Sequence, residues 1–230
     1  MKRLLSILLS LLVLLPAAAC AVEPGFAVYH GSREDMRVAI TVDDCYNLDV
    51  LADMLTLAQE HEIPLTFFVL GTALKVEDRA LWQRVIDEGH EIGNHSYGHA
   101  DLPYLQPKAA LYQLTRTQEV LDETLGYHYP MQMMRPPFGH IKDSNHVSNA
   151  WVIEKAGYKR IVLWDVSQTD PDKAIHAVKP GSILLYHTNY KDYDCLVELI
   201  PALKEAGYGF CTASDLLGFP PPVPQSPDDV

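Results

Sequence analysis

Short apolar runs alternate with helix-period segments along most of this 230-residue chain, and no other feature restricts its fold as much. Strand-like runs stand at 38–42, 65–70, 91–93, 131–134, 160–164, 182–186 and 208–212. Between them, apolar residues recur three and four apart. In 47–61 they fall at 48, 51, 54, 55 and 58, one face of a helix. Further helices are predicted at 76–88, 108–125, 145–156 and 195–206, ending at Gly89, Gly126, Gly157 and Gly207. Strands separated by helices pair in parallel, with the helices packed outside. About seven such units in roughly 190 residues predict an α/β fold, a distorted (β/α) barrel of about seven strands. Chemistry in such a fold sits at the carboxyl ends of the strands.

Charge narrows the partners. Lys and Arg total 18 and Asp and Glu 30, a net charge of −12. Nucleic acid and an anionic membrane surface both need a basic footprint and are excluded as partners. A neutral or cationic substrate suits the chain better than a strongly acidic polymer. The expected state is a monomer.

Residues 1–20 read as an export signal: Lys2-Arg3, an apolar run from Leu4 to Leu15, then Pro16-Ala17-Ala18-Ala19-Cys20. Twelve residues are too few for a permanent membrane span. Cleavage fits after Ala19 or Ala21. Cys20 after three alanines also resembles a bacterial lipoprotein signal, with Ala17 where leucine is usual, so the lipid anchor and free secretion both stand. Membrane contact is expected only through that anchor. Residues 21–35 read as a linker, 36–218 as one domain and 219–230 as a disordered proline-rich tail. Export permits a Cys195–Cys211 disulfide, with buried free thiols as the alternative.

The titratable residues fall just after the strands. Asp43 and Asp44 follow the first, His95 and His99 the third, and Arg135-Pro136-Pro137-Phe138-Gly139 the fourth. Asp165 and Asp170 follow the fifth, and His187 the sixth. Two imidazoles four residues apart can share one ion if the segment makes a helical turn. A hydrolytic metal site needs three protein ligands and an open position, and Asp44, His95 and His99 supply them. Asp43 could take a proton from water, with Arg135 holding it ionised. His187, arriving from the opposite side, could protonate a leaving amine or alkoxide.

At these residues the sequence resembles the polysaccharide deacetylase family, carbohydrate esterase family 4, over about residues 36–218. The family's Thr-Phe-Asp-Asp is Thr41-Val42-Asp43-Asp44, and its His-Ser/Thr-x-x-His is His95-Ser96-Tyr97-Gly98-His99. Its Arg-Pro-Pro-Tyr-Gly is Arg135-Pro136-Pro137-Phe138-Gly139, and its Leu-x-His is Leu185-Tyr186-His187. The resemblance implies a distorted (β/α) barrel and metal-dependent removal of acetyl from an N-acetylated glycan, chitin-like or peptidoglycan. It implies Asp43 as base, Asp44, His95 and His99 as ligands, His187 as acid, and the Phe138 N–H as an oxyanion donor. Leu185 is then expected in the acetyl-methyl pocket, and Asp170 is expected to orient Arg135. Zinc is the default ion, though cobalt, nickel or manganese accept the same set.

Two departures stand out. Cys45 replaces the glycine after the Asp pair, and Pro171 replaces a tryptophan that helps wall the acetyl pocket. Trp164 is expected at a strand end as core, with a place lining the groove as the alternative, and His140 and His146 as surface or capping groups. Hydrolysis of an O-acetyl ester or another amide is the alternative within the enzyme class. A catalytically silent glycan binder is the alternative outside it, disfavoured because a pure binder gains nothing from buried paired acids.

Overall fold

The computed structural model describes residues 26–145, 148 and 150–225. Its strands are β1 Ala27–Val28, β2 Arg37–Asp44, β3 Thr66–Val69, β4 Glu91–Asn94, β5 Met133–Met134, β6 Arg160–Val162, β7 Ile183–His187 and β8 Gly209–Phe210. They pair in parallel in the order β1-β6-β5-β4-β3-β2-β7, with β8 against the start of β2. A parallel bridge between Val166, just past β6, and Leu184 of β7 draws the two sides of the sheet into a nearly closed barrel. The helices are α1 Leu48–Glu60, α2 Arg79–Asp87, α3 Pro107–Leu125, α4 Ala150–Lys155, α5 Pro171–Ala177, α6 Tyr190–Glu205 and α7 Ala213–Leu216. Among the described residues no helix is long and apolar enough to cross a membrane.

The strands serve two cores in alternation, as their period of two requires. Val38, Ile40, Val42, Phe67, Val69, Ile92, Leu184 and Tyr186 pack in the larger core with the helices. Ala39, Phe68, Met133, Val162 and Ile183 form a small inner core with Cys211, Ala213 and Leu216. Continuing the inner alternation along β2 and β7 reaches Thr41, Asp43, Leu185 and His187. The periodicity that fills the barrel thus carries these polar groups to its mouth.

The other end is closed by α7. The Ala213 N–H donates to Thr66 Oγ1 at 2.9 Å and the Ser214 N–H to Glu91 Oε2 at 3.1 Å. Glu91 is buried at the start of β4, and burial raises its carboxyl to about 7.

Four predicted segments differ, one being the helix expected at 145–156, which begins at Ala150. The described part of the expected 21–35 linker is built into the barrel: β1 pairs with β6, and Arg33 reaches Asp165 at 2.6 Å. A two-residue strand carries no periodic signal, which is why it was invisible as one. The described part of the expected disordered tail lies against the fold. The Arg160 guanidinium stands 4.9 Å from the Phe219 ring, and the Gln225 N–H donates to the His128 carbonyl at 2.8 Å. Helix α6 begins at Tyr190, capped by Asn189, five residues before the predicted start. The export signal lies outside the described residues, as does His146.

Candidate active site

Asp44, His95 and His99 each offer a ligand atom, and these atoms lie within 4.8 Å of one another. Asp44 Oδ1 is 3.5 Å from His95 Nε2 and 3.6 Å from His99 Nε2. That oxygen is buried and accepts no hydrogen bond from any described residue. Glu88, Glu91 and Asp101 each leave a buried carboxylate oxygen unsatisfied as well, but that of Asp44 faces two imidazole nitrogens. His95 Nδ1 lies 2.7 Å from the Arg135 carbonyl, which can only accept, so Nδ1 carries the proton and Nε2 presents its lone pair. Burial lowers the His95 pKa and favours that neutral ring. An orphaned carboxylate oxygen facing two imidazole nitrogens fits a divalent cation.

The His95–His99 segment is a loop, not the helical turn the spacing allowed. Ser96 and His99 take left-handed backbone, at φ 74° and 57°. The buried Asn94 side chain clamps this turn: Oδ1 accepts the Ser96 N–H at 2.7 Å, and Nδ2 donates to the Leu114 carbonyl at 2.9 Å and to Tyr158 Oη at 2.5 Å. Asp44, Cys45 and Phe138 are also left-handed. Five of the six non-glycine residues described with positive φ thus belong to this site, the sixth being Glu62. Each such residue costs about 1–3 kcal/mol and persists only where its surroundings enforce it.

Asp43 is buried beside the triad. Arg135 Nη1 donates to Asp43 Oδ1 at 2.7 Å, while Asp43 Oδ2 lies 3.7 Å from His95 Nε2. One oxygen is held and the other faces the metal ligands. Arg135 is itself fully buried. It donates to Thr41 Oγ1 at 2.7 Å, the Val162 carbonyl at 2.9 Å and the Leu163 carbonyl at 3.1 Å, and stands 4.3 Å from the Phe68 ring. Burial lowers its pKa, and the Asp43 carboxylate opposes that shift.

Asp170 does not orient Arg135, contrary to expectation. It caps α5, accepting the Lys173 N–H at 3.0 Å, and its side chain is 52% exposed. Pro171 starts the helix at this point and turns the carboxylate into the cap, while the carbonyls of residues 162 and 163 take the guanidinium donors instead.

His187 pairs in register with Asp43 across β2 and β7. Its Nδ1 lies 3.3 Å from Asp192 Oδ2, and its main-chain N–H donates to the same oxygen at 2.7 Å. The Asp192 hydrogen bond raises the imidazole above its ordinary pKa, against the effect of burial. Asp192 escaped the sequence reading. Its signal was Asn189-x-x-Asp192, a cap followed three residues later by an acid that turns back on the chain.

Asp43, Asp44, His95, His99 and His187 share a cavity of about 290 Å³ with Leu185, Phe138 and Trp164. Trp164, expected in the core, walls the cavity, and a Cβ on Gly139 would stand 2.8 Å from its ring. Phe138, 57% exposed, meets His99 edge-on at 4.6 Å. His140 pairs with Asp101 at 3.0 Å, away from the ligands. The three described cysteines are buried and free. Cys195 belongs to the outer core and Cys211 to the inner one, so no disulfide joins them.

Residues 30–161 match the family described as polysaccharide deacetylase. The chain belongs to the polysaccharide deacetylase family. It is 29% identical over 197 residues to the peptidoglycan-N-acetylglucosamine deacetylase PgdA of Listeria monocytogenes, covering 81% of this chain. It spans only 40% of that protein's length. It is 29% identical over 212 residues to PdaA of Bacillus subtilis, a peptidoglycan-N-acetylmuramic acid deacetylase, covering 85% of this chain and 77% of the relative. The solved PdaA structure, a family 4 carbohydrate esterase, superposes with a TM-score of 0.71 at 28% identity, covering 83% of this chain and 84% of that one. A mutant of BA3943, described as a pseudoenzyme of the same family with restored activity, superposes at 0.73 with 25% identity, covering 84% and 71%.

Proposed function

We propose that this chain is an exported hydrolase that removes N-acetyl groups from peptidoglycan, with residues 36–218 as its catalytic domain. The observation that carries this is the orphaned Asp44 oxygen between His95 and His99, beside the Asp43–Arg135 pair. Asp44, His95 and His99 hold the cation, zinc by default. A cation held there supplies Lewis-acid polarisation of the attacking water and of the amide carbonyl.

The protein's own groups move the protons. Asp43 Oδ2 takes the water proton, because Oδ1 is occupied by Arg135. Thr41 and two backbone carbonyls fix the guanidinium, so the base keeps its direction. His187 gives its proton to the leaving amine, and the Asp192 hydrogen bond raises that imidazole above its ordinary pKa and orients it. The Phe138 N–H is the donor for the oxyanion. Leu185 and Trp164 form the apolar wall for the acetyl methyl, Trp164 taking the place that Pro171 leaves.

A barrel of this family can be a pseudoenzyme, as BA3943 is described, so the fold alone does not carry the activity. Retention of the ligand set, Asp43 and His187 argues for turnover. Acetate release tests this, from isolated peptidoglycan, N-acetylglucosamine oligomers and an O-acetylated glycan in parallel, with metal-stripped and zinc-restored protein. Zinc-dependent acetate from an N-acetyl glycan is expected. Acetate from the O-acetyl glycan alone replaces the reading with an esterase, and binding without acetate from any glycan replaces it with the silent binder.

A further inference from the structure

Beside the catalytic cavity lies a second one of about 720 Å³, lined in part by Tyr29, His140, Lys142 and Ser148. Gly139 lines both, so they adjoin at the residue after Phe138. The loop that carries Lys142 is fixed. His140 Nδ1 is 3.0 Å from Asp101 Oδ2, and the Ser144 N–H donates to Tyr104 Oη at 3.0 Å. Lys142 pairs with Ser148 in an antiparallel bridge, and Ser148 Oγ donates to the Ile141 carbonyl at 2.8 Å. Tyr29, 53% exposed, brings an aromatic ring from the segment after β1.

The charge here is unlike that of its surroundings. Among the described residues lining the two cavities, Lys142 is the one lysine or arginine. It makes no ion pair with another described residue, in a chain of net charge −12. Long-range attraction of anions is therefore absent. One cation on a braced loop next to the reacting centre selects for a single negative group at short range, within the screening length of about 8–10 Å. An aromatic ring beside it offers a flat apolar face to a sugar.

We propose that this second cavity is a subsite for a sugar bearing a carboxylate, Lys142 pairing with the acid and Tyr29 packing on the ring. The proposal rests on the deacetylase reading and deepens it. Within peptidoglycan the acid belongs to the muramic residue, as its free lactyl group or through the peptide attached there. A neutral N-acetylglucosamine polymer gives Lys142 nothing to pair with. The subsite thus ranks muramic-containing glycan above chitin-like glycan.

The test uses the zinc-loaded full chain and four tetrasaccharides: peptide-free muramic-containing glycan, the same with its lactyl groups amidated, a peptide-bearing fragment, and a neutral N-acetylglucosamine oligomer. KM is read from acetate release, and binding is read separately by calorimetry. The acidic glycan is expected to have a KM about fivefold below its amidated form, the size of a partly exposed ion pair. That gap should close in Lys142→Glu, persist in Lys142→Arg, and shrink as salt rises to about 1 M, where screening extends only about 3 Å. A gap seen only with the peptide-bearing fragment keeps the subsite and places the acid on the peptide. Equal KM for the acidic, amidated and peptide-bearing glycans, or a gap that survives Lys142→Glu, overturns it. Absence of acetate from every glycan overturns the deacetylase reading instead, and calorimetry with the same sugars and variants then decides the subsite by itself.

Discussion

Two carboxyls are buried at opposite ends of the barrel, and their neighbours give them different chemistry. Asp43 at the mouth and Glu91 at the base are each 3% exposed. Asp43 faces a guanidinium at 2.7 Å. Glu91 faces the Ser214 N–H and the hydroxyls of Thr66, Thr212 and Ser214, with no cation to oppose burial, and rises to about 7. Burial alone makes a carboxyl keep its proton, whereas a base must be held without one. The backbone differs as well. Asp44, Cys45, Ser96, His99 and Phe138 hold left-handed conformations at the mouth. Local stability is conceded there in favour of geometry.

The largest effect separating the two ends is expected from Asp43→Asn. Turnover should fall by about 10²–10⁴-fold while zinc binding persists. Leaving Arg135 without its buried partner should also destabilise the fold by about 3–5 kcal/mol in urea titrations. Turnover equal to the unsubstituted chain would make Asp43 as structural as Glu91.

Glu91→Gln probes the base. The folded pKa of about 7 lies above the ordinary glutamate value. Its contribution to stability is therefore fully present below about pH 4 and lost as pH rises through 7, by about 3 kcal/mol. The amide cannot ionise, so the variant should be the more stable protein at pH 8 and match the parent near pH 4. Turnover should not change. Equal urea midpoints at pH 8 would mean that Glu91 is not held protonated.

Asn94→Ala releases the clamp on the Ser96 turn. Zinc affinity should weaken by about 10–100-fold, as expected for a group that orients ligands from behind. Calorimetric titration reads this directly, and an unchanged affinity would show that the loop holds its shape without the carboxamide. The smallest effect is on pH dependence. Asp192→Asn removes the main influence raising His187, so the imidazole should lose its proton at lower pH. The alkaline limb of the rate profile should move down in pH. A limb that stays in place removes His187 as the acid.

The parallel fold was legible because every long strand is apolar and each of four helices stops at a glycine: Gly89, Gly126, Gly157 and Gly207 all have positive φ. The ligand triad was legible because its three residues sit on two short motifs. What escaped depended on contacts distant in sequence. β1 is too short to carry a pattern. Thr41 reads as strand, and its bond to Arg135 spans 94 residues. Asp170 had the right spacing to reach Arg135, but the adjacent Pro171 put its carboxylate to use as a helix cap. The wall role of Trp164 likewise depends on its fit against Gly139, which no periodicity encodes.

The most direct measurement is a zinc titration of metal-stripped protein, with acetate release from peptidoglycan followed at each addition, the unsubstituted chain beside Asp44→Asn. The expected result is activity that rises to a plateau at one zinc per chain and is lost at that stoichiometry in the variant. Acetate release indifferent to zinc, or a full zinc site that releases none, would contradict the account.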